Sequence, residues 1–151
     1  MRSRYLFPLI AFGLIATMAI YFIINPSYQK SIEAKYYFEV GKYKEAYELA
    51  NEAFSMDVYN RMASTIMAQS TTSLKYVKYI EQAQAFLQQI NEIATHENIS
   101  TSDRARMKIM SEIMLDSYVK LAPSIITDEA LVKKAKKYRN DFEHLLEKVT
   151  Q

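Results

Sequence analysis

The chain has 151 residues, 50% apolar and 24% charged, with 2 Gly, 3 Pro, no Cys, no Trp and a formal net charge of +2. That composition excludes a disordered chain, a turn-rich all-β fold, a disulfide framework, thiol chemistry and a Gly-rich phosphate loop. The near-neutral charge gives no electrostatic reason to expect nucleic acid as a partner.

The mean hydropathy of −0.18 averages two unlike parts. Leu6 to Ile24 carries no charge. As a helix rising about 1.5 Å per residue it is roughly 28 Å long, close to the hydrocarbon thickness of a bilayer. Tyr5 and Tyr21 stand toward its ends, where aromatic rings favour the interface. Asn25-Pro26 stops the run, because proline cannot continue a hydrogen-bonded helix. A cleaved signal peptide has a shorter apolar stretch and a small-x-small site, which Asn25, Pro26, Ser27 and Tyr28 do not supply. The run is also long for a buried core helix. The expectation is an anchor: residues 1–26 form a basic tail and span, residues 6–24 meet the lipid bilayer, and residues 27–151 form one helical domain.

Arg2 and Arg4 precede the span. Positive flanks stay inside, which places the soluble part outside the cytoplasm. Lys30, Lys35, Lys42 and Lys44 follow the span and argue for the reverse, so a cytoplasmic orientation stays open.

Residues 27–151 contain no useful strand alternation and read as all-α. About six helices are expected, near 27–40, 43–56, 60–71, 75–96, 102–121 and 128–149. Gly41 suits a left-handed helix end, and Asp57 to Asn60 offers acceptors for a new start. Thr71-Thr72-Ser73 disfavours helix and predicts a break. Asn98 to Ser102 holds several N-cap residues ahead of Asp103. Pro123 closes the fifth helix, and Thr127, Asp128 and Glu129 open the sixth.

Residues 38–57 carry a spaced set. Gly41 is followed by Tyr43, Ala46 and Ala53, and preceded by Ala34 and Tyr37. This segment resembles the tetratricopeptide repeat, a helix–turn–helix unit with small residues where two helices meet. The match covers about residues 27–60. One repeat length further, Ala68 fits, whereas Lys75 and Ile80 do not. Val58 stands where the repeat often has proline. Since one unit cannot bury its apolar face alone, the later helices are expected to stack on it as antiparallel hairpins. Their stripes are Val77, Ile80, Ala83, Leu87, Ile90 and Ala94; Met107, Met110, Met114 and Leu121; and Leu131, Ala135, Tyr138, Phe142, Leu145 and Val149. A second stripe, Tyr79, Phe86 and Ile93, gives the fourth helix two apolar faces, as an interior helix needs.

Nothing forms a recognisable catalytic, cofactor or metal motif. His96 and His144 are the only histidines, and a zinc site needs three or four ligands. Lys133, Lys134, Lys136, Lys137 and Arg139 make segment 133–139 the densest charge cluster, balanced by Asp141, Glu143 and Glu147 as on a solvated helix face. Met56, Met62, Met67, Met107, Met110 and Met114 suit irregular core gaps. Tyrosines concentrate in the first half, and exposed tyrosine is typical of contact surfaces, so Tyr36, Tyr47 and Tyr59 are the expected partner-binding residues.

The resemblance implies a protein-binding module without enzymatic activity or cofactor, with a membrane-associated protein as partner. By analogy it implies a scaffold, assembly factor or accessory subunit of a bacterial envelope complex, of the secretion or flagellar-motor kind. The alternative is a cytosol-facing adaptor that recruits a soluble partner to the membrane through the same surface; an enzyme ranks third.

Overall fold

The computed structural model describes residues 6–96, 98–124 and 127–150. Arg2, Arg4 and Tyr5 lie outside them. Among the described residues every regular element is a helix: α1 (Leu6–Ile24), α2 (Pro26–Glu39), α3 (Tyr43–Met56), α4 (Arg61–Ala94), α5 (Thr101–Val119) and α6 (Glu129–Thr150). Two compact units divide the chain, Met1–Ser70 and Thr71–Gln151, so α4 contributes to both.

α1 is long and apolar enough to cross a membrane, and none of its side chains is buried. One residue separates it from α2. The Asn25 Oδ1 caps α2 by accepting from the Ser27 N–H at 3.0 Å, with Pro26 in the first helical turn, where its missing N–H costs nothing. In an unbroken helix that Ser27 N–H would reach the Ile23 carbonyl. The Gln29 side-chain amide donates to that carbonyl instead. The chain thus changes helix with the Ser27 N–H and the Ile23 carbonyl both paired.

α2 ends in a Schellman turn. Gly41 has φ +79, the Lys42 N–H donates to the Tyr37 carbonyl at 2.9 Å, and the Gly41 N–H donates to that of Phe38 at 3.1 Å. The Lys42 ammonium lies 5.5 Å from the centre of the Tyr37 ring. The last turn of α2 meets the first of α3 through Phe38 and Tyr43, whose ring centres are 5.4 Å apart. The first turn of α2 meets the last of α3, where the Ser27 hydroxyl donates to the Ala53 carbonyl at 2.8 Å and Lys30 pairs with Glu52 at 2.9 Å. Between them Ala34, Ala46, Ala50 and Ala53 have no exposure.

Asn60 closes this unit. Its side chain is fully buried. Its Nδ2 donates to Ser27 Oγ at 2.9 Å and Ser31 Oγ at 3.2 Å, and its Oδ1 accepts from the Ala63 N–H at 3.1 Å, capping α4. The Ser31 hydroxyl donates its own hydrogen bond to the Tyr28 carbonyl at 2.9 Å.

The break expected at Thr71-Thr72-Ser73 is absent, and one helix, α4, replaces the two expected over 60–71 and 75–96. Five helices therefore follow α1, not six. The reason is packing. Ala63, Ile66, Ser70, Ser73, Tyr76, Ile80 and Ala83 are buried at three- and four-residue steps straight through the hydroxyl cluster. Each unfavourable residue costs about 0.5–0.7 kcal/mol of propensity, whereas burying one large apolar side chain returns about 1.5–3 kcal/mol.

In the second unit both stripes of α4 enter one core. Tyr79, Ile80, Ala83, Ile90 and Ile93 join Met107, Met110 and Met114 of α5 and Ala135 and Phe142 of α6. Ser100 caps α5 in a capping box: its Oγ accepts from the Asp103 N–H at 3.1 Å, and Asp103 Oδ2 accepts from the Ser100 N–H at 3.2 Å. These Ser100 bonds lower the Asp103 pKa. Asp128 caps α6 by accepting from the Ala130 N–H at 2.8 Å.

The buried Tyr79 hydroxyl finds no hydrogen-bond partner among the described residues. Burial, then the neighbouring Tyr118, pushes its pKa up to about 12, against a smaller opposing pull from Arg139. The Tyr118 ring is 5.8 Å from that of Tyr79 and 5.9 Å from the Arg139 guanidinium.

Two predictions follow from these contacts. Asn60→Ala removes a helix cap and two buried donors at once, and is expected to lower the unfolding free energy of the detergent-solubilised chain by about 2–4 kcal/mol; Asn51→Ala, at an exposed position, is expected to change it by less than about 0.5 kcal/mol. Tyr79→Phe is expected to be neutral or slightly stabilising at pH 7, since an unpaired hydroxyl is removed. A tyrosine whose folded pKa exceeds its unfolded value keeps its proton longer when folded, so its contribution is intact below pH 10 and is lost as pH rises from 10.0 toward 12. Thermal unfolding across that interval should show the parent losing on the order of 1 kcal/mol more than Tyr79→Phe.

Candidate interaction surface

The inward face of α2 is made of Ser27, Ser31 and Ala34. Its outward face carries a second periodic set: Ile32, Tyr36 and Val40 recur every four residues, and each is at least half exposed, Tyr36 at 62%. Steps of four keep them on one helix face with a drift of about 40° per step. Single exposed apolar residues are ordinary, but a contiguous row is not. Lys35 and Glu39 run beside the row and pair at 3.7 Å, which gives it a polar border. The Tyr36 ring packs edge-on against that of Tyr37 at 5.7 Å.

The three tyrosines expected at a partner surface do not stand together. Tyr36 lies on the outer face of α2 and Tyr47 is half-buried on α3. Tyr59 is 87% exposed in the turn before α4. Because Asn60 is bonded to Ser27, Tyr59 sits by the start of α2, whereas Tyr36 lies about 13 Å further along that helix. The residues placed by repeat spacing are largely internal: Ala34, Ala46 and Ala53 are fully buried, Tyr43 nearly so and Tyr37 half-buried, while Gly41 makes the turn.

Ile32 and Val40 share a four-residue spacing with Tyr36 in the sequence. A row of that kind looks the same whether it faces a core or solvent. The deciding signal was the competing row of small residues, Ser27, Ser31 and Ala34, which takes the inward face.

A second exposed group lies at the α3–α4 turn: Met56, Val58, Tyr59 and Met62. Beside it, Tyr21, Asn25, Pro26, Ser27, Met56 and Asp57 line a cleft of about 490 Å³. In the second unit an open groove of about 520 Å³ runs along Gln84, Gln88, Asn91, Thr95 and Tyr138.

The remaining charged candidates are solvated. His144 Nδ1 is 3.6 Å from Glu147 Oε2 with both side chains mostly exposed, and His96 is exposed. Among the described residues no three His, Asp or Glu side chains converge on a possible metal position. Lys133 pairs with Glu129 at 3.1 Å and Arg139 with Glu143 at 3.0 Å, while Lys134, Lys136 and Lys137 project into solvent. No protein-family profile, characterised protein or solved structure matches the chain.

Proposed function

We propose that the chain is a single-pass membrane protein whose first unit presents a protein-binding surface. The observation that carries this reading is the Ile32–Tyr36–Val40 row on a helix that begins one residue after α1. An apolar helix face with a polar border is suited to an apolar helix or groove of another protein, as amphipathic recognition generally requires. The close Ala-lined contact of α2 and α3 supports reading them as one antiparallel hairpin of the tetratricopeptide kind. That reading does not extend along α4, which is a single helix where a second hairpin would need two.

On this proposal α1 is the anchor. Arg2 and Arg4 hold their end in the cytoplasm, and the helical part works in the periplasm as a scaffold, assembly factor or accessory subunit of an envelope complex. The partner is another membrane-associated protein, since the row starts little more than two turns past the span. No enzymatic step is assigned.

The orientation predicts that a reporter active only in the periplasm, fused after Gln151, will be active; activity of a cytoplasm-only reporter at the same position would reverse the topology. The surface predicts that Ile32→Ala combined with Tyr36→Ala will weaken partner capture by roughly thirtyfold, the equivalent of about 2 kcal/mol. The measurement is quantitative co-purification of the full-length chain in mild detergent, with circular dichroism to confirm folding. Neutralising Lys134, Lys136 and Lys137 should leave capture unchanged; loss of capture there, with the α2 change silent, would move the surface to the basic segment.

A further inference from the structure

The α3–α4 turn has an occupant problem. Met56, Val58, Tyr59 and Met62 are all exposed, and in water that grouping is unfavourable. Their position says what covers them. The Ser27 hydroxyl holds the Ala53 carbonyl at the end of α3, and Asn60 holds Ser27 and Ser31. Ser27 is three residues past the end of α1. The turn is therefore tied by hydrogen bonds to the point where α1 ends, and Met56 and Asp57 share a cleft with Tyr21 of α1 and with Asn25.

The end of α1 has the chemistry of a membrane–water boundary. Tyr21, Phe22 and Tyr28 form an aromatic cluster, with Phe22 and Tyr28 ring centres 4.6 Å apart and Tyr21 and Phe22 5.9 Å apart. The Asn25 side-chain amide donates to the Tyr21 hydroxyl at 3.1 Å. Aromatic rings with one apolar body and one polar tip concentrate at headgroup level. Tyr59 has that chemistry, and Val58 and Met56 beside it are apolar. Arg61 is exposed in the next turn, with a cation that can reach lipid phosphate while its stem stays in apolar surroundings. Exposed apolar and aromatic side chains thus stand on both sides of this cleft, Tyr21 and Phe22 at the end of α1 and Met56, Val58 and Tyr59 at the turn.

We infer that the α3–α4 turn is a second membrane contact, a foot that inserts Val58 and Tyr59 among phospholipid headgroups beside the exit of α1. This rests on the reading of α1 as a span. It gives the first unit two attachments to one leaflet, the covalent one at Asn25 and the apolar one at Tyr59. The foot fixes the tilt of α2, and with it the direction in which Ile32, Tyr36 and Val40 are presented. Tyr59 is then a lipid contact and not a contact for the protein partner.

The absence of Trp from the chain makes the test direct. Tyr59→Trp, Tyr36→Trp and Phe12→Trp are introduced singly into the full-length protein. Each is reconstituted in phosphatidylcholine–phosphatidylglycerol vesicles with and without brominated acyl chains. The expected result is loss of fluorescence and a blue shift for Phe12→Trp, a smaller loss and blue shift for Tyr59→Trp, and neither for Tyr36→Trp. Quenching at Phe12→Trp with none at Tyr59→Trp overturns the foot and leaves the span standing; a surface reserved for a protein partner gives that pattern. Equal quenching at Tyr59→Trp and Tyr36→Trp also overturns it, because the unit then lies flat on the bilayer. No quenching at Phe12→Trp overturns the span, and the foot with it.

Discussion

A buried primary amide must find two acceptors and one donor, and Asn60 finds them on two helices and reaches a third through a hydroxyl. Its amide protons go to Ser27 and Ser31 of α2, its oxygen takes the Ala63 N–H of α4, and Ser27 relays the connection to the Ala53 carbonyl of α3. Leaving any one of these groups unpaired in the interior costs about 1–3 kcal/mol, so the arrangement holds as a set or not at all. Its geometry depends on size. Ser27 and Ser31 stand one helical turn apart, and only small side chains at both leave room for the carboxamide between the helices. Because α2 starts beside Asn25, this set of bonds also decides where the α3–α4 turn lies relative to the end of α1.

Much of the secondary structure was legible because its punctuation is local. Asn25-Pro26, Gly41, Ser100 with Asp103, and Asp128 each act on a backbone group within a few residues, and each does so in the structure. The small residues Ala34, Ala46 and Ala53 were legible for a related reason: their spacing from Gly41 puts them on one side of a short helical pair. One failed expectation and one illegible contact have a common physical cause. Thr71-Thr72-Ser73 was read by propensity, but Ser70 and Ser73 belong to a buried row that propensity does not see. Asn60 was read as a local cap, which it is, while its pairing with Ser27 and Ser31 spans about thirty residues of chain and leaves no periodic trace. The candidate surface was half legible. Tyr36 was found by residue type, whereas Ile32 and Val40 needed the knowledge that Ser27, Ser31 and Ala34 take the inward face.

The second unit reaches stability by a different route. Its core combines flexible methionine side chains from α5 with Phe142 and the aliphatic and aromatic stripes of α4. Tyr79 contributes a large buried ring there, worth about 1.5–3 kcal/mol, against a similar penalty for an unpaired hydroxyl. A tyrosine with so displaced a pKa would ordinarily attract attention as a proton-transfer group. Here the displacement runs upward and away from neutrality, its first cause is burial, and the nearby Arg139 is engaged by Glu143 at 3.0 Å. The perturbation is a consequence of packing.

The contrast explains why the first unit exposes so much apolar surface. Its buried cluster is made of Ala34, Ala46, Ala50 and Ile66, with Tyr37, Phe38, Leu49 and Met67 partly covered. Such small side chains bring helices close but bury little area each, so apolar burial alone gives this unit a modest driving force. The Asn60 bonds supply the specificity that a larger core would otherwise provide. The large apolar residues of α2 and of the α3–α4 turn are consequently not needed inside, and they project outward: Ile32, Tyr36 and Val40 on one, Met56, Val58 and Tyr59 on the other. Converting Ser27 and Ser31 to Leu would offer more apolar area to the interior, but it would expel the Asn60 side chain and release the turn from the end of α1. A polar anchor at the joint is what allows a small core and two apolar outer surfaces to coexist in one short unit.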